Sequence, residues 1–351
     1  MRVIVLWADP KSPNLGSQMI AEGISTFLRD HSISSDIQFI SHNQLQDICR
    51  ARWYSIKGIS RIRKYLKSCD LVIDMGDGDS FTSQYGMNRF LKLSALRIIV
   101  RLNSKKIILG PQSIGVFTGI KSMIARFSLY GVSAVVVRDS ESMKALALIY
   151  NGPSAIATDT SWGIKSTVLK GNRKRMCLIN LNGLFFSLDE PIRRKAFQKS
   201  LQNLALVLVQ RNYIFDFMYH VATNTGADND RLWETYITNE FSESKIFSPE
   251  NFVEARRILG EYEFSVGSRY HFCLNSLQAG TPCIPISYGT KFDSIYQNIP
   301  NINDWGTEIS IGDWEGMIDK YSTLDLRENS EMQLKLLQEF ANLYTTICVS
   351  E

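Results

Sequence analysis

The sequence lacks any run of about eighteen apolar residues, the length a membrane-spanning helix would need. Its first ten residues are interrupted by Asp9 and Pro10 before they reach the length of a secretory apolar segment, so a cytoplasmic protein is expected. None of the six cysteines, at 49, 69, 177, 273, 283 and 348, forms a C-x-x-C pair. Several stand in apolar runs, which points to buried thiols in a reducing compartment. Charge of one sign is not in excess: 39 Lys and Arg against 35 Asp and Glu leave a net +4 and a pI of about 8.6. That balance suits an anionic substrate or an anionic membrane surface and is too mild to argue for nucleic acid. G-x-G-x-x-G is missing, which removes the dinucleotide fingerprint. No internal repeat or low-complexity tract is present.

What is present is an ordinary globular composition, 44% hydrophobic and 21% charged, over 351 residues. That length predicts two domains rather than one core. Apolar strand-like runs at 2–7, 37–40, 70–74, 105–109, 134–137 and 155–157 alternate with helical segments at about 18–30 and 121–130. Such alternation predicts a parallel, doubly wound sheet. A polar, basic stretch at 163–175 reads as a linker, and the pattern restarts with strands at 176–181 and 213–219 and a helix at 191–211. The expected fold is therefore α/β with two Rossmann-like domains, 1–165 and 175–351, facing a cleft. The second domain is expected to close with an amphipathic helix at about 328–344.

The densest stretch is 264–291. A short buried strand runs into Ser268, and Arg269 and His271 follow two residues apart; a helix then stops at Gly280 and Pro282, and a second strand leads through Tyr288 to Lys291. Ligands of open α/β sheets bind at the carboxyl ends of strands. Two cations and an imidazole delivered there suit an anion, although a surface ion pair and a helix-start histidine would account for Arg269 and His271 taken singly. Ser248 and Pro249 read as the start of the preceding helix.

The pattern Arg269, His271, Gly280, Pro282, Tyr288 and Lys291 resembles the polysaccharide pyruvyl transferase family. Other stretches carry the same resemblance: Asn14 and Gly16 after the first strand, Gly76-Asp77-Gly78 after the third, Gln112-Ser113-Ile114-Gly115 after the fourth, and Arg138-Asp139 before Ser142. Departures stand at Ser17, Asp77 and Val116, where the family carries an acid, a glycine and a proline. The resemblance implies a glycosyltransferase-B-like architecture and transfer of the pyruvate moiety of phosphoenolpyruvate to two hydroxyls of a sugar, with no cofactor beyond that co-substrate and no metal. The sugar acceptor would be a polysaccharide repeat, free or lipid-linked. Arg138, Arg269, Lys291, Ser268 and Tyr288 would bind the donor, and His271 would act as acid with Arg269 and Arg138 assisting. Asn14, Gly76, Asp77, Asp79, Gln112 and His220 would face the acceptor, and Asp230 is placed near His220 by the same analogy.

Other readings stand beside this one. A sugar-nucleotide glycosyltransferase or epimerase of the same architecture would use the second domain for a diphosphate, and a non-catalytic carbohydrate-binding relative would ignore phosphoenolpyruvate. Asp74, Asp77 and Asp79 resemble part of a calcium loop whose distal Glu is missing. The basic stretch Arg50, Arg52, Lys57, Arg61, Arg63, Lys64 and Lys67, interleaved with Trp53, Tyr54 and Tyr65, reads either as a peripheral membrane contact or as a solvated helix face.

Overall fold

The computed structural model describes residues 1–49, 55–76, 80–83, 86–103, 105–165, 173–223, 226, 228–287, 292, 295, 305–322, 324 and 326–349. Asp77, Asp79, Tyr288 and Lys291, together with residues 50–54 of the basic stretch, lie outside them. The chain divides into two units. The first comprises Met1–Pro10, Ile20–Ile164 and Glu331–Glu351, and the second Lys11–Met19 and Lys165–Ser330. A single cut between residues 165 and 175, as expected above, thus misses two exchanges: residues 11–19 group with the later half and the last 21 residues with the earlier.

The first unit holds β1 (Arg2–Leu6), β2 (Asp36–Ile40), β3 (Leu71–Asp74), β4 (Ser80–Phe81), β5 (Lys106–Ile114), β6 (Ala134–Val137) and β7 (Ser154–Ile156). They form one sheet in the order β2-β1-β3-β5-β6-β7, with β4 paired to β5, and every pairing is parallel. Strands β3 and β6 are buried throughout, as near-continuous apolar runs in a parallel sheet require. Successive residues feed opposite faces: Ile4, Leu6 and Val72 enter one apolar cluster, and Val3, Val5, Leu71 and Ile73 the other. The second cluster explains the displaced C-terminus, because the helix Leu326–Val349 inserts Leu337, Phe340, Ala341 and Tyr344 into it, with Phe340 stacked on Phe27 at 4.3 Å.

One strand is longer than the periodicity predicts. Residues 110–114, expected as loop, continue β5 because Ser113 and Ile114 pair with Ser80 and Phe81, after a register shift between Leu109 and Gln112.

The second unit holds β8 (Lys174–Asn180), β9 (Ile214–Met218), β10 (Ile246–Phe247), β11 (Tyr262–Gly267) and β12 (Cys283–Pro285), all parallel, in the order β10-β9-β8-β11-β12. Segment 11–19 is fastened to this unit by hydrogen bonds. Asn14 bridges Val221, the Leu15 amide donates to the His220 carbonyl at 3.1 Å, and Gln18 donates to the Glu250 carbonyl at 3.3 Å while accepting from the Phe252 amide at 3.1 Å. The first helix starts at Leu15, three residues earlier than periodicity suggests, with the Asn14 side chain accepting from the Gly16 amide at 3.0 Å. The helix before β11 begins later than expected, at Phe252 instead of Pro249. Asn251 caps it by accepting from the Glu254 amide at 3.0 Å, and Glu254 reaches back to the Glu250 amide at 2.9 Å.

Candidate functional site

At the carboxyl edge of the second unit's sheet, the ends of β8, β9 and β11 converge on one buried carboxylate. Asp230 Oδ2 accepts from the His220 amide (2.8 Å), the Val221 amide (3.1 Å) and Asn180 Nδ2 (3.1 Å), and Oδ1 accepts from the Gly183 amide (3.0 Å). Arg269 completes the set, with Nε at 2.7 Å and Nη2 at 2.6 Å from Oδ1. Asp230 is fully buried and Arg269 is 8% exposed. The pair is therefore fixed in a low-dielectric setting where removing Arg269 leaves the buried Asp230 charge uncompensated and removing Asp230 leaves Arg269 with a solvent-facing carboxylate partner. Arg269 has a second acidic neighbour of different character: Nη1 lies 2.9 Å from Asp228 Oδ1, and that carboxylate is 57% exposed. Arg269, whose position in sequence suits it to an anionic ligand, is held by two aspartates, one interior and one facing solvent.

Ser268 is also spent locally. Its hydroxyl donates to the Asn180 carbonyl at 2.8 Å and accepts from the Asn182 amide at 2.7 Å, tying β11 to β8 in a fully buried position. Ser268, expected to bind the donor, thus has its hydroxyl's donor and one acceptor site already filled within the unit.

His271 is the second residue of the helix Tyr270–Gln278, although the sequence pattern places it ahead of that helix. Its imidazole lies against Gly16 so closely that a Cβ built there would stand 2.7 Å from Nδ1. Asn14, which sequence placed in the first domain, thus caps the helix turn on which His271 rests. His220 is buried to 1% exposure, with its ring edge-on to Phe272 and its Nε2 without a hydrogen-bond partner among the described residues. Burial, followed by the electrostatic influence of the neighbouring His271 and Arg269, holds its pKa well below the ordinary 6.5, which favours the neutral imidazole.

The first unit gathers a different set at the ends of β3, β5 and β6. Asp74 is fully buried; its Oδ1 accepts from the Gly76 amide at 2.8 Å and its Oδ2 from Arg97 Nε at 2.5 Å. The Arg97 guanidinium covers the Phe81 ring at 4.0 Å. This pairing gives Asp74 a role other than the calcium-loop one. Gly76 adopts φ +69° and leaves no room for a side chain, since a Cβ would meet Gln112 Oε1 at 2.3 Å. Gln112 donates to the Asp74 carbonyl at 3.0 Å, while its buried Oε1 has no partner among the described residues. Arg138, 4% exposed, donates to Asp159 Oδ2 at 2.9 Å and to Ser113 Oγ at 3.0 Å. Asp159 in turn caps the short helix Thr160–Gly163 through the Ser161 amide at 2.9 Å. Of Asp139 and Ser140, the two residues placed by sequence to cap the helix Ser140–Ala147, Asp139 is the cap.

Asn180, Asp228, Arg97, Asp159 and the steric part of Gly16 show no functional role in the sequence. Asp230, noted only by analogy, proves to be the hub. Each is paired with a residue far along the chain, so local spacing offers no signal for it. Among the described residues no group of three or more His, Cys, Asp or Glu side chains is gathered for a metal ion.

Among curated proteins none matches the sequence significantly. Solved structures resemble it in fold at low identity. UDP-GlcNAc 2-epimerase from Methanocaldococcus jannaschii aligns with TM-score 0.55 at 10% identity, covering 97% of this chain and 100% of that one. A putative UDP-N-acetylglucosamine 2-epimerase from Listeria monocytogenes gives TM-score 0.55 at 10% identity, with 95% and 90% coverage. A single-site mutant of S. aureus TarM, in complex with Fondaparinux, alpha-GlcNAc-glycerol and UDP, gives TM-score 0.50 at 12% identity, with 82% and 59% coverage. These likenesses show the two-sheet α/β fold of glycosyltransferase-B type. The family model described as polysaccharide pyruvyl transferase matches residues 14–290, a span that runs from the Asn14 cap to just past β12. The chain belongs to the polysaccharide pyruvyl transferase family.

Proposed function

We propose that the protein moves the pyruvate moiety of phosphoenolpyruvate onto two hydroxyls of a sugar, in a polysaccharide or its lipid-linked precursor, forming a cyclic ketal and releasing phosphate. The observation that carries this reading is His271 at the carboxyl edge of the second sheet, lodged on the first turn of the Leu15–Asp30 helix beside the Arg269–Asp230 pair. An imidazolium there is a proton donor held by packing instead of by a flexible loop.

His271 gives its proton to the methylene carbon of the enolpyruvyl group, which becomes a methyl group and leaves C2 electrophilic. One sugar hydroxyl adds to C2 and loses its proton, which restores the imidazolium. The C2–O bond to phosphorus then breaks with its electron pair going to phosphate, and the second hydroxyl adds to C2, its proton leaving with the phosphate or to solvent. The Nη1 arm of Arg269 is the exchangeable one: a donor carboxylate takes the place of the exposed Asp228, while the Asp230 arm stays as anchor. Arg138 positions Ser113 and the adjoining Gln112, whose Oε1, unpartnered among the described residues, suits a sugar hydroxyl. Lys291 and Tyr288 keep the donor-binding part that the family resemblance implies.

Incubation with phosphoenolpyruvate and candidate glycans, followed by mass spectrometry and phosphate assay, tests the reaction. His271→Gln is expected to lower transfer by about two to four orders of magnitude while leaving phosphoenolpyruvate binding in place. Full transfer by that variant would remove His271 from the chemistry. Release of nucleotide from a sugar nucleotide, without ketal formation, would replace the reading by a glycosyltransferase one.

A further inference from the structure

We propose that the face of the first unit formed by the helices Met87–Leu102 and Gly119–Leu129 docks on an anionic lipid bilayer. Val116, Ile120, Met123, Phe127 and Tyr130 follow one another at steps of four and three residues and are 70%, 69%, 70%, 57% and 74% exposed. The opposite side of the same helix, at Ala125 and Leu129, is already buried in the core. A globular helix needs one apolar stripe, and this one carries a second whose residues all remain more than half exposed.

The neighbouring helix extends the patch. The two lie side by side, with Phe90 against Phe117 at 5.1 Å near one end and the Arg101 guanidinium over Phe127 at 5.1 Å and Tyr130 at 5.4 Å near the other. Met87, Leu91 and Leu102 add exposures of 39%, 41% and 66%.

Charge selects the occupant. From Ser80 to Arg138 the sequence contains no acidic residue and nine Lys or Arg. Arg97 and Arg138 are buried, whereas Lys92, Arg101, Lys121 and Arg126 stand on the two helices themselves. A second copy of this face would bring like charges together around the apolar centre, which disfavours self-association. An anionic bilayer accepts both parts: the apolar side chains enter the acyl boundary and the cations meet headgroups. The inference does not depend on the reaction assigned to His271.

Flotation of the full chain with vesicles tests it. Binding is expected to phosphatidylcholine vesicles containing phosphatidylglycerol, to fall in high salt, and to be absent with phosphatidylcholine alone. Each cation near an anionic surface raises partitioning about fivefold, so Lys92→Glu with Lys121→Glu should weaken it at least about twentyfold. Met123→Ser with Phe127→Ser should weaken it at least about tenfold. Thermal melts confirm that each variant is folded, and if the apolar pair is not, the charge pair decides. No binding by the wild-type chain, undiminished binding by the folded variants, or equal binding to neutral vesicles overturns the proposal. So does a wild-type dimer in the absence of lipid that Met123→Ser with Phe127→Ser converts to monomer.

Discussion

Gly16→Ala separates positioning from stability at the proposed acid. The added Cβ would stand 2.7 Å from His271 Nδ1, 2.9 Å from Cγ and 3.0 Å from Cβ, whereas ordinary contact begins at 3.4 Å. The imidazole must therefore retreat by about 0.7 Å, partly by turning about its side-chain torsions and partly with a backbone shift of about 0.4 Å, since those torsions do not move Cβ. Gly16 lies in the first turn of a helix and carries no positive φ, so alanine suits its backbone and returns up to about 1 kcal/mol of conformational entropy. That gain offsets overpacking of about 1–3 kcal/mol, leaving a net change near 1 kcal/mol and a Tm shift below about 4 °C. Displacement of a reacting group by about 1 Å costs about a hundredfold in rate. Steady-state phosphate release is thus expected to fall ten- to a hundredfold in kcat, with little change in Tm. Wild-type kcat in a folded Gly16→Ala variant would refute the idea that His271 works from this seat. A loss of activity matched by unfolding would show that the glycine serves packing alone.

Asp230→Asn removes the charge opposite buried Arg269, and about 3–5 kcal/mol of stability should disappear in denaturant titration; a loss under 1 kcal/mol would contradict the hub. Arg97→Ala, which strands Asp74, should destabilise the first unit by a similar amount. Gly76→Ala combines a φ of +69° with a contact to Gln112 Oε1 and should cost more than about 2 kcal/mol. His220 contributes a pH dependence. Its folded pKa is depressed below 6.5, so the unfolded chain takes up the proton first. The associated stability is complete above pH 6.5 and is lost as pH falls from there toward the folded pKa, at up to about 1.4 kcal/mol per pH unit. His220→Gln should flatten that slope relative to wild type in melts between pH 6.5 and 5; parallel curves would mean that His220 does not titrate as described.

The strands were legible because burial on both faces demands continuous apolar runs: 134–137 is β6, and 70–74 and 176–181 differ from β3 and β8 only at their ends. The cap of the helix Ser140–Ala147 was legible to within one residue, Asp139 or Ser140, because it is set by a hydrogen bond three residues away. Residue roles at the two sites were less so. Arg269, Ser268 and Arg138 carry the residue types that bind anions, yet their partners Asp230, Asn180 and Asp159 lie 39, 88 and 21 residues away. A guanidinium reads alike in sequence whether it awaits a ligand or already grips an aspartate.

Sequence alone determined the α/β class and the family, since hydrophobic periodicity and short motifs are local properties of the chain. Tertiary structure alone decided which cations are already neutralised, which glycine holds an imidazole in place, and where residues 11–19 and 331–351 belong. Those depend on distances between segments that meet only after the sheets have formed, when a buried charge must find its opposite and an apolar helix face must find a core.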